Sequence, residues 1–362
     1  MKIKAALVSA NSKEFEIADF ELDDPRPDEV LVRIVASGMC YTDLGQRKGY
    51  TGEVPGVFGH EGAGVVERVG SLIRDVSPGD HVVLSYDSCG RCQRCLQGSF
   101  SYCDEMFQRN FGGSRLDGSA PISRDGVGLY SSFFGQSSFS SFSLATQRNV
   151  VTVPKDLPLE ILGPLGCGVL TGAGSIINAL KVPVGSSIAV FGTGAVGMSA
   201  ILAARVVGCT AIIGIDLNKD RLQIARELGA THTLISSDNI DEEIRAILPR
   251  GVDYALDTTG NPDVYRKAIE CLAPLGTCGL VGAPGPNSEV LIPMQQILIG
   301  RAERGIIMGD SCPQILIPQL IDLYRQDRFP FDRLIRQYPF ESINEAADHS
   351  LSGATTKPVL QF

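Results

Sequence analysis

Apolar and polar residues alternate over short distances through roughly the first 160 positions of the chain. The runs EVLVRIVASG (29–38), GAGVVERVG (62–70) and DHVVLSY (80–86), like the N-terminal stretch MKIKAALVSANSKEFEIADF, carry the two-residue period of strands. Pro78-Gly79-Asp80 marks a turn between two of them. The pattern predicts a small, irregular β-barrel-like domain over residues 1–164. Near Pro164 the texture changes. From Ser187 short apolar runs alternate with helical periodicity: SIAVF, AVGMSAILAARVV, AIIGID, KDRLQIARELG, VDYALDTT, PDVYRKAIECL and TCGLVGA. This βαβ rhythm predicts a doubly wound parallel sheet over residues 165–305. In the remaining segment, 306–362, IPQLIDLYRQ and INEAADHSL read as helices and KPVLQF as a closing strand. One stretch fits neither texture. Residues 106–143 set Phe107, Phe111, Phe133, Phe134, Phe139 and Phe142 among Gly and Ser, which suits loop packing or a pocket wall.

The length of 362 residues is consistent with about two domains, and no apolar run is long enough to span a bilayer. A net charge of −9 argues against a sequence-independent grip on nucleic acid, which needs a basic face. The N-terminus lacks the apolar core of a signal peptide. With ten cysteines in the chain, that points to a reducing, cytoplasmic setting in which thiols are ligands or stay free.

Four of those cysteines stand close together in CGRCQRCLQGSFSYC: Cys89, Cys92, Cys95 and Cys103, within a lobe of about residues 88–104. This spacing can turn four thiolates around one tetrahedral Zn²⁺; an Fe–S cluster suits it less well. A closed four-cysteine site offers no position to a substrate, so it braces structure and the chemistry lies elsewhere.

A second motif follows the strand-like SIAVF. Gly192-Thr193-Gly194-Ala195-Val196-Gly197 opens an amphipathic helix, and Asp216 ends the next strand about 20 residues on. Strand, glycine turn, helix, strand and acid together form a dinucleotide-binding fingerprint. The glycines let the backbone approach a pyrophosphate, whose charge the helix N-terminus favours. Asp216 can accept hydrogen bonds from the adenosine ribose and repels a 2′-phosphate, which favours NAD over NADP, while Arg221 could lie beside the ribose and soften the preference.

Oxidation by a nicotinamide needs an alcohol made into an alkoxide, and a metal is one means. Outside the lobe the candidate ligands are Cys40 in ASGMCYTD, His60 in FGHEGAG and Cys167 in GPLGCGVLTGAG. Two Cys and one His with an open fourth position make a catalytic zinc arrangement. Spacing alone does not join Cys167 to the other two. Resemblance does: GHEGAGVVERVG, the four-cysteine lobe, GCG and GTGAVG occur in the order seen in zinc-dependent medium-chain alcohol dehydrogenases, over essentially the whole chain. NFGGSRLDGS followed by FFGQSSF further resembles the aryl (benzyl) alcohol dehydrogenase branch.

The resemblance implies a Rossmann sheet inserted in a GroES-like catalytic domain, to which the C-terminal segment returns. It implies two zinc ions per chain, one held by Cys40, His60 and Cys167 and one by the lobe, with NAD as cofactor. Thr42 matches a proton-relaying hydroxyl, Asp43 the carboxylate that orients the ligand histidine, and Glu61 a carboxylate able to approach the metal. Thr171 matches a contact to the nicotinamide side and Lys357 one to the pyrophosphate. Tyr41 stands where the family commonly has Arg or His against a phosphate, and Gly45 where many members have a proton-accepting His. The terminal base is therefore unassigned.

The implied reaction interconverts a primary aromatic or allylic alcohol and its aldehyde in a homodimer or homotetramer, with no nucleic-acid or membrane partner. Aliphatic alcohols or polyols, and a non-catalytic nucleotide-binding relative, are the alternatives. Polyol enzymes of this fold often carry Glu at the position of Cys167, and a thiol-adduct formaldehyde oxidation would want a basic pocket. Cys209, Cys271, Cys278 and Cys312 read as small core residues, and His81, His232 and His349 as ordinary packing or surface residues.

Overall fold

The computed structural model describes residues 1–362, which divide into two compact units. Met1–Cys167, Cys312–Gln319 and Ile335–Phe362 make the first; Gly168–Ser311 and Leu320–Leu334 make the second. No helix is long and apolar enough to cross a membrane.

The first unit is organised by the strand Glu29–Gly38. It pairs antiparallel with Gly62–Val69, Phe142–Thr146 and Lys357–Gln361 in a seven-stranded sheet. The strand alternates two apolar faces. Val30, Val32 and Ile34 join Val66, Val82 and Leu84 in one buried cluster, while Leu31 joins Ile3, Leu7, Phe20 and Leu22 in another. The second cluster lines a five-stranded sheet in the order Gly56–Val57, Lys2–Val8, Glu16–Leu22, Ile122–Arg124, Val127–Gly128. The strand ends where the chemistry begins: a nine-residue helix, Tyr41–Gly49, follows Cys40 directly. Its sequence, YTDLGQRKG, has one leucine and two glycines and no helical stripe, so periodicity gives no sign of it.

The aromatic excursion packs most of its rings inward. It opens with a short helix, Met106–Phe111, and Phe133, Phe134 and Phe139 are buried.

The second unit holds six parallel strands in the order His232–Ile235, Ala211–Asp216, Ser187–Phe191, Val252–Asp257, Leu272–Leu280, Ala302–Gly305. Every residue of Ser187–Phe191 is buried, as a strand flanked by two others and covered on both faces requires. The chain order reverses between this strand and Val252–Asp257, which creates a crevice at their C-terminal ends. Cys271 and Cys278 lie in the core beside Phe191 and Ile213. Cys209 and Cys312, expected there too, are half-buried instead. The strand His232–Ile235 and a π-helical turn at Ser175–Ala179 are elements the apolar pattern does not mark, whereas the helix Ile240–Ile247 carries isoleucine at 240, 244 and 247 along one face. The segment after residue 306 is split between the units. Leu320 and Ile321 are buried in the second, where the turn Phe331–Leu334 packs on the helix Ala195–Val207.

Candidate metal centres and nucleotide site

Three chain crossings of the first unit meet at one point. Ser37 pairs with Gly62 and Gly38 with Val359, so Cys40 (after its strand), His60 and Glu61 (before theirs) and Lys357 (opening the last strand) converge. Cys167 follows the tight turn Gly163–Gly166, whose final carbonyl accepts a hydrogen bond from Ser85 Oγ at 2.6 Å. One potential ligand atom each from Cys40, His60, Glu61 and Cys167 lies within 4.8 Å of the others.

Asp43 fixes this geometry. Its Oδ2 accepts from the Cys40 N–H at 2.9 Å, and its Oδ1 accepts from the Gly59 N–H at 3.1 Å and from His60 Nδ1 at 2.9 Å. A carboxylate only accepts, so the His60 proton sits on Nδ1 and the Nε2 lone pair is left for another partner. Nε2 is buried and has no hydrogen-bond partner in the protein. Phe134 stacks on the ring at 4.4 Å and Phe133 meets it edge-on at 5.5 Å. Gln136 donates to the His60 carbonyl at 3.1 Å and to that of Ser85 at 3.0 Å, and accepts from the Gly62 N–H. Its place as the one amide in FFGQSSF was the available signal for this clamp.

The thiols make the same case electrostatically. A hydrogen bond from Cys167 holds Cys40 well below the ordinary thiol range, and the same contact, aided by burial, pushes Cys167 well above it. Two thiolates this close repel each other, and a divalent cation facing both sulfurs would offset that repulsion. An unpartnered imidazole nitrogen and two adjacent thiols fit a metal with an open position.

Glu61 is buried, and its side chain occupies space left by Gly38, where an added Cβ would lie 2.0 Å from Glu61 Oε2. Lys357 has its partners inside this unit. Only 2% exposed, it donates to both Glu61 oxygens at 2.9 Å and to the Met39 carbonyl at 3.1 Å. With these donors committed inside the unit, the ammonium is the counter-charge of Glu61. Burial alone would lower its pKa, and the Glu61 carboxylate overrides that and raises it. Thr42 Oγ1 lies 3.7 Å from Cys40 Sγ, whereas Tyr41 is 75% exposed and Gly45 also faces solvent.

In the lobe, Cys89, Cys92, Cys95 and Cys103 bring their sulfurs within 4.8 Å of one another. Backbone N–H groups donate to the sulfurs, among them Cys92 N–H to Cys89 at 3.2 Å and Cys89 N–H to Cys103 at 3.3 Å. Burial first, then the neighbouring thiols, pushes Cys95 up to about 12, so four thiolates coexist only around a cation.

In the second unit, Gly192 adopts φ +87° and an added Cβ would meet Thr258 Oγ1 at 2.5 Å; at Gly197 it would meet the Gly192 carbonyl at 1.9 Å. Gly194, which caps the helix Ala195–Val207, has open space there instead. The outer glycines are needed for the turn and for close packing, and the middle one leaves room above the helix N-terminus that Ala195 and Val196 begin. Asp216 Oδ2 accepts from the Thr193 N–H at 2.7 Å and Oγ1 at 3.0 Å, tying the turn to the next strand. Arg221 Nε is buried without a hydrogen-bond partner. Thr171 lies buried on the helix Gly168–Gly174, its Oγ1 3.8 Å from Met308 Sδ.

Comparison with known proteins agrees with this geometry. Residues 26–155 match the alcohol dehydrogenase GroES-like domain and residues 195–326 the zinc-binding dehydrogenase family. Geraniol dehydrogenase of Castellaniella defragrans is 44% identical over 363 residues, covering 99% of this chain and 97% of that protein. The crystal structure of an alcohol dehydrogenase zinc-binding domain protein from Burkholderia ambifaria superposes with a TM-score of 0.98 at 49% identity, covering 100% of this chain and 99% of that one. That of benzyl alcohol dehydrogenase from Acinetobacter calcoaceticus gives 0.96 at 42% identity, with the same coverage. The chain belongs to the zinc-dependent medium-chain alcohol dehydrogenase family, in its aryl-alcohol branch.

Proposed function

We propose that this protein oxidises primary aromatic or allylic alcohols to aldehydes, reversibly, with NAD as hydride acceptor. The observation that carries the reading is the convergence of Cys40, His60 and Cys167 on one point with His60 Nε2 orphaned there. Zinc held by these three residues would supply Lewis acidity at the alcohol oxygen. The chain's own groups do the rest. Asp43 holds the imidazole tautomer and orientation, Thr42 passes the alcohol proton outward, and the exposure of Tyr41 and Gly45 lets that proton reach water without a histidine. Gly192, Gly194 and Gly197 would cradle the pyrophosphate, Asp216 and Arg221 the ribose, and Thr171 the nicotinamide side.

Asp43→Asn is expected to lower kcat/KM by about 10- to 100-fold with the fold retained, the usual size of a change behind a metal-bound histidine. Steady-state kinetics together with metal analysis check this; an effect below about twofold would remove Asp43 from the orienting role.

The substrate and cofactor assignment is tested by following NADH absorbance with benzyl, cinnamyl, geranyl and short aliphatic alcohols. The first three are expected to exceed the aliphatic alcohols in kcat/KM by at least about tenfold, with NAD preferred over NADP. A preference for ethanol or a polyol would overturn the substrate class, and equal use of NADP would overturn the role of Asp216.

The aryl and terpenoid class is supported by the named relatives and by Cys167 at the position where polyol enzymes often have Glu. A homodimer or homotetramer assembled through the nucleotide-binding unit is supported by its edge strand, Ala302–Gly305. All four of its residues are exposed, and the same unit exposes Leu275, Leu291, Met294 and Leu298. The cytoplasm suits six cysteines that must stay reduced to bind metal.

A further inference from the structure

Glu61 has two possible owners. One of its carboxylate oxygens lies within 4.8 Å of the ligand atoms of Cys40, His60 and Cys167, close enough to be counted with them as a potential fourth ligand. Both of its oxygens instead accept hydrogen bonds from Lys357 Nζ at 2.9 Å. The ammonium is itself anchored, at 3.1 Å to the Met39 carbonyl, one residue before Cys40. The strand beginning at Lys357 is locked in register, with Val359 opposite Gly38 and the Met39 N–H donating to the Pro358 carbonyl at 2.9 Å. Lys357 therefore has little freedom to follow the carboxylate if it moves.

We propose that Lys357 is a positioning residue that keeps the metal's fourth position open by holding Glu61 away from it. The proposal rests on the reading that Cys40, His60 and Cys167 hold the catalytic metal. A buried carboxylate without a counter-charge is costly, and the nearest remaining positive centre is that metal. Removing the ammonium thus sends Glu61 to the position that the alcohol oxygen must occupy. Simple charge compensation would predict something else: a less stable protein with an unaltered metal site.

The test replaces the catalytic metal with Co²⁺ in the full chain and titrates imidazole, a neutral nitrogen ligand for an open metal position, by visible absorption. The parent enzyme and Lys357→Arg are expected to bind imidazole alike. In Lys357→Met the cobalt spectrum is expected to change before any imidazole is added, and imidazole affinity to fall at least tenfold. Adding Glu61→Gln to Lys357→Met is expected to return affinity to within about threefold of the parent. Lys357→Gln, which keeps one donor to the carboxylate, gives a second neutral side chain should the Met variant fail to fold. It is expected to show the same loss in milder form. Parent-like imidazole binding in the folded neutral variants, or no recovery on adding Glu61→Gln, overturns the proposal. Absence of imidazole-sensitive cobalt from the parent itself would instead overturn the three-ligand metal reading on which it rests.

Discussion

Replacing Cys40 by serine is expected to lower kcat/KM for alcohol oxidation by about 10³-fold or more, because metal stabilisation of a developing alkoxide is worth several kcal/mol and each 1.4 kcal/mol or so is tenfold. The serine hydroxyl has the shape of the thiol but does not ionise near neutral pH, so the site loses one of its two anionic ligands. Cys40 is also the sulfur that already favours the thiolate, through its contact with Cys167. The scaffold should survive the change. The backbone N–H of Cys40 still donates to Asp43, and Asp43 still holds Gly59 and His60. Metal analysis should find about one zinc per chain in place of two, with the lobe's ion retained, alongside an unchanged circular dichroism spectrum. Activity within about tenfold of the parent would remove Cys40 from the catalytic site.

How much of this was legible in the sequence follows from the range of each interaction. The nucleotide turn is local. Gly192, Gly194, Gly197 and Asp216 fall within 25 residues, and Gly197 and Asp216 answer contacts made inside the same strand–turn–helix–strand unit, with the Gly192 carbonyl and with Thr193. The lobe is local as well, with its four sulfurs inside fifteen residues. The catalytic centre is not. Cys167 reaches Cys40 and His60 only through the register of Glu29–Gly38 with its neighbours and the turn after Gly163, so family resemblance rather than spacing assigned it. Lys357 shows the limit most sharply. Its pairing with Glu61 depends on how strand Lys357–Gln361 lies against Gly38, which no local spacing carries. The helix after Cys40 was invisible for a related reason: its sequence lacks an apolar stripe, and Asp43 anchors its first turn with bonds to Cys40, Gly59 and His60.

The second large effect should fall on stability before activity. Cys103→Ser is expected to reduce zinc to about one per chain and to lower the unfolding temperature by at least about 5 °C, a drop that a few kcal/mol produces in a domain of this size. The lobe has little else to order it. Its buried apolar cluster consists of Cys95, Cys103 and Met106 with a rim of partly buried side chains, while Leu96 and Phe107 face solvent. Proteolysis should therefore begin within residues 88–111 in the variant and elsewhere in the parent. Activity should decline as a consequence, along a path of contacts. Arg109 joins Glu105 of the lobe to the buried Asp87, and the Phe111 ring meets Phe134 at 5.1 Å, the same Phe134 that stacks on His60. A loosened lobe thus removes support from the ligand histidine without touching any of the three catalytic ligands. If thermal scans and limited proteolysis match the parent while one zinc is missing, the lobe's order comes from its protein contacts and the metal is not its brace.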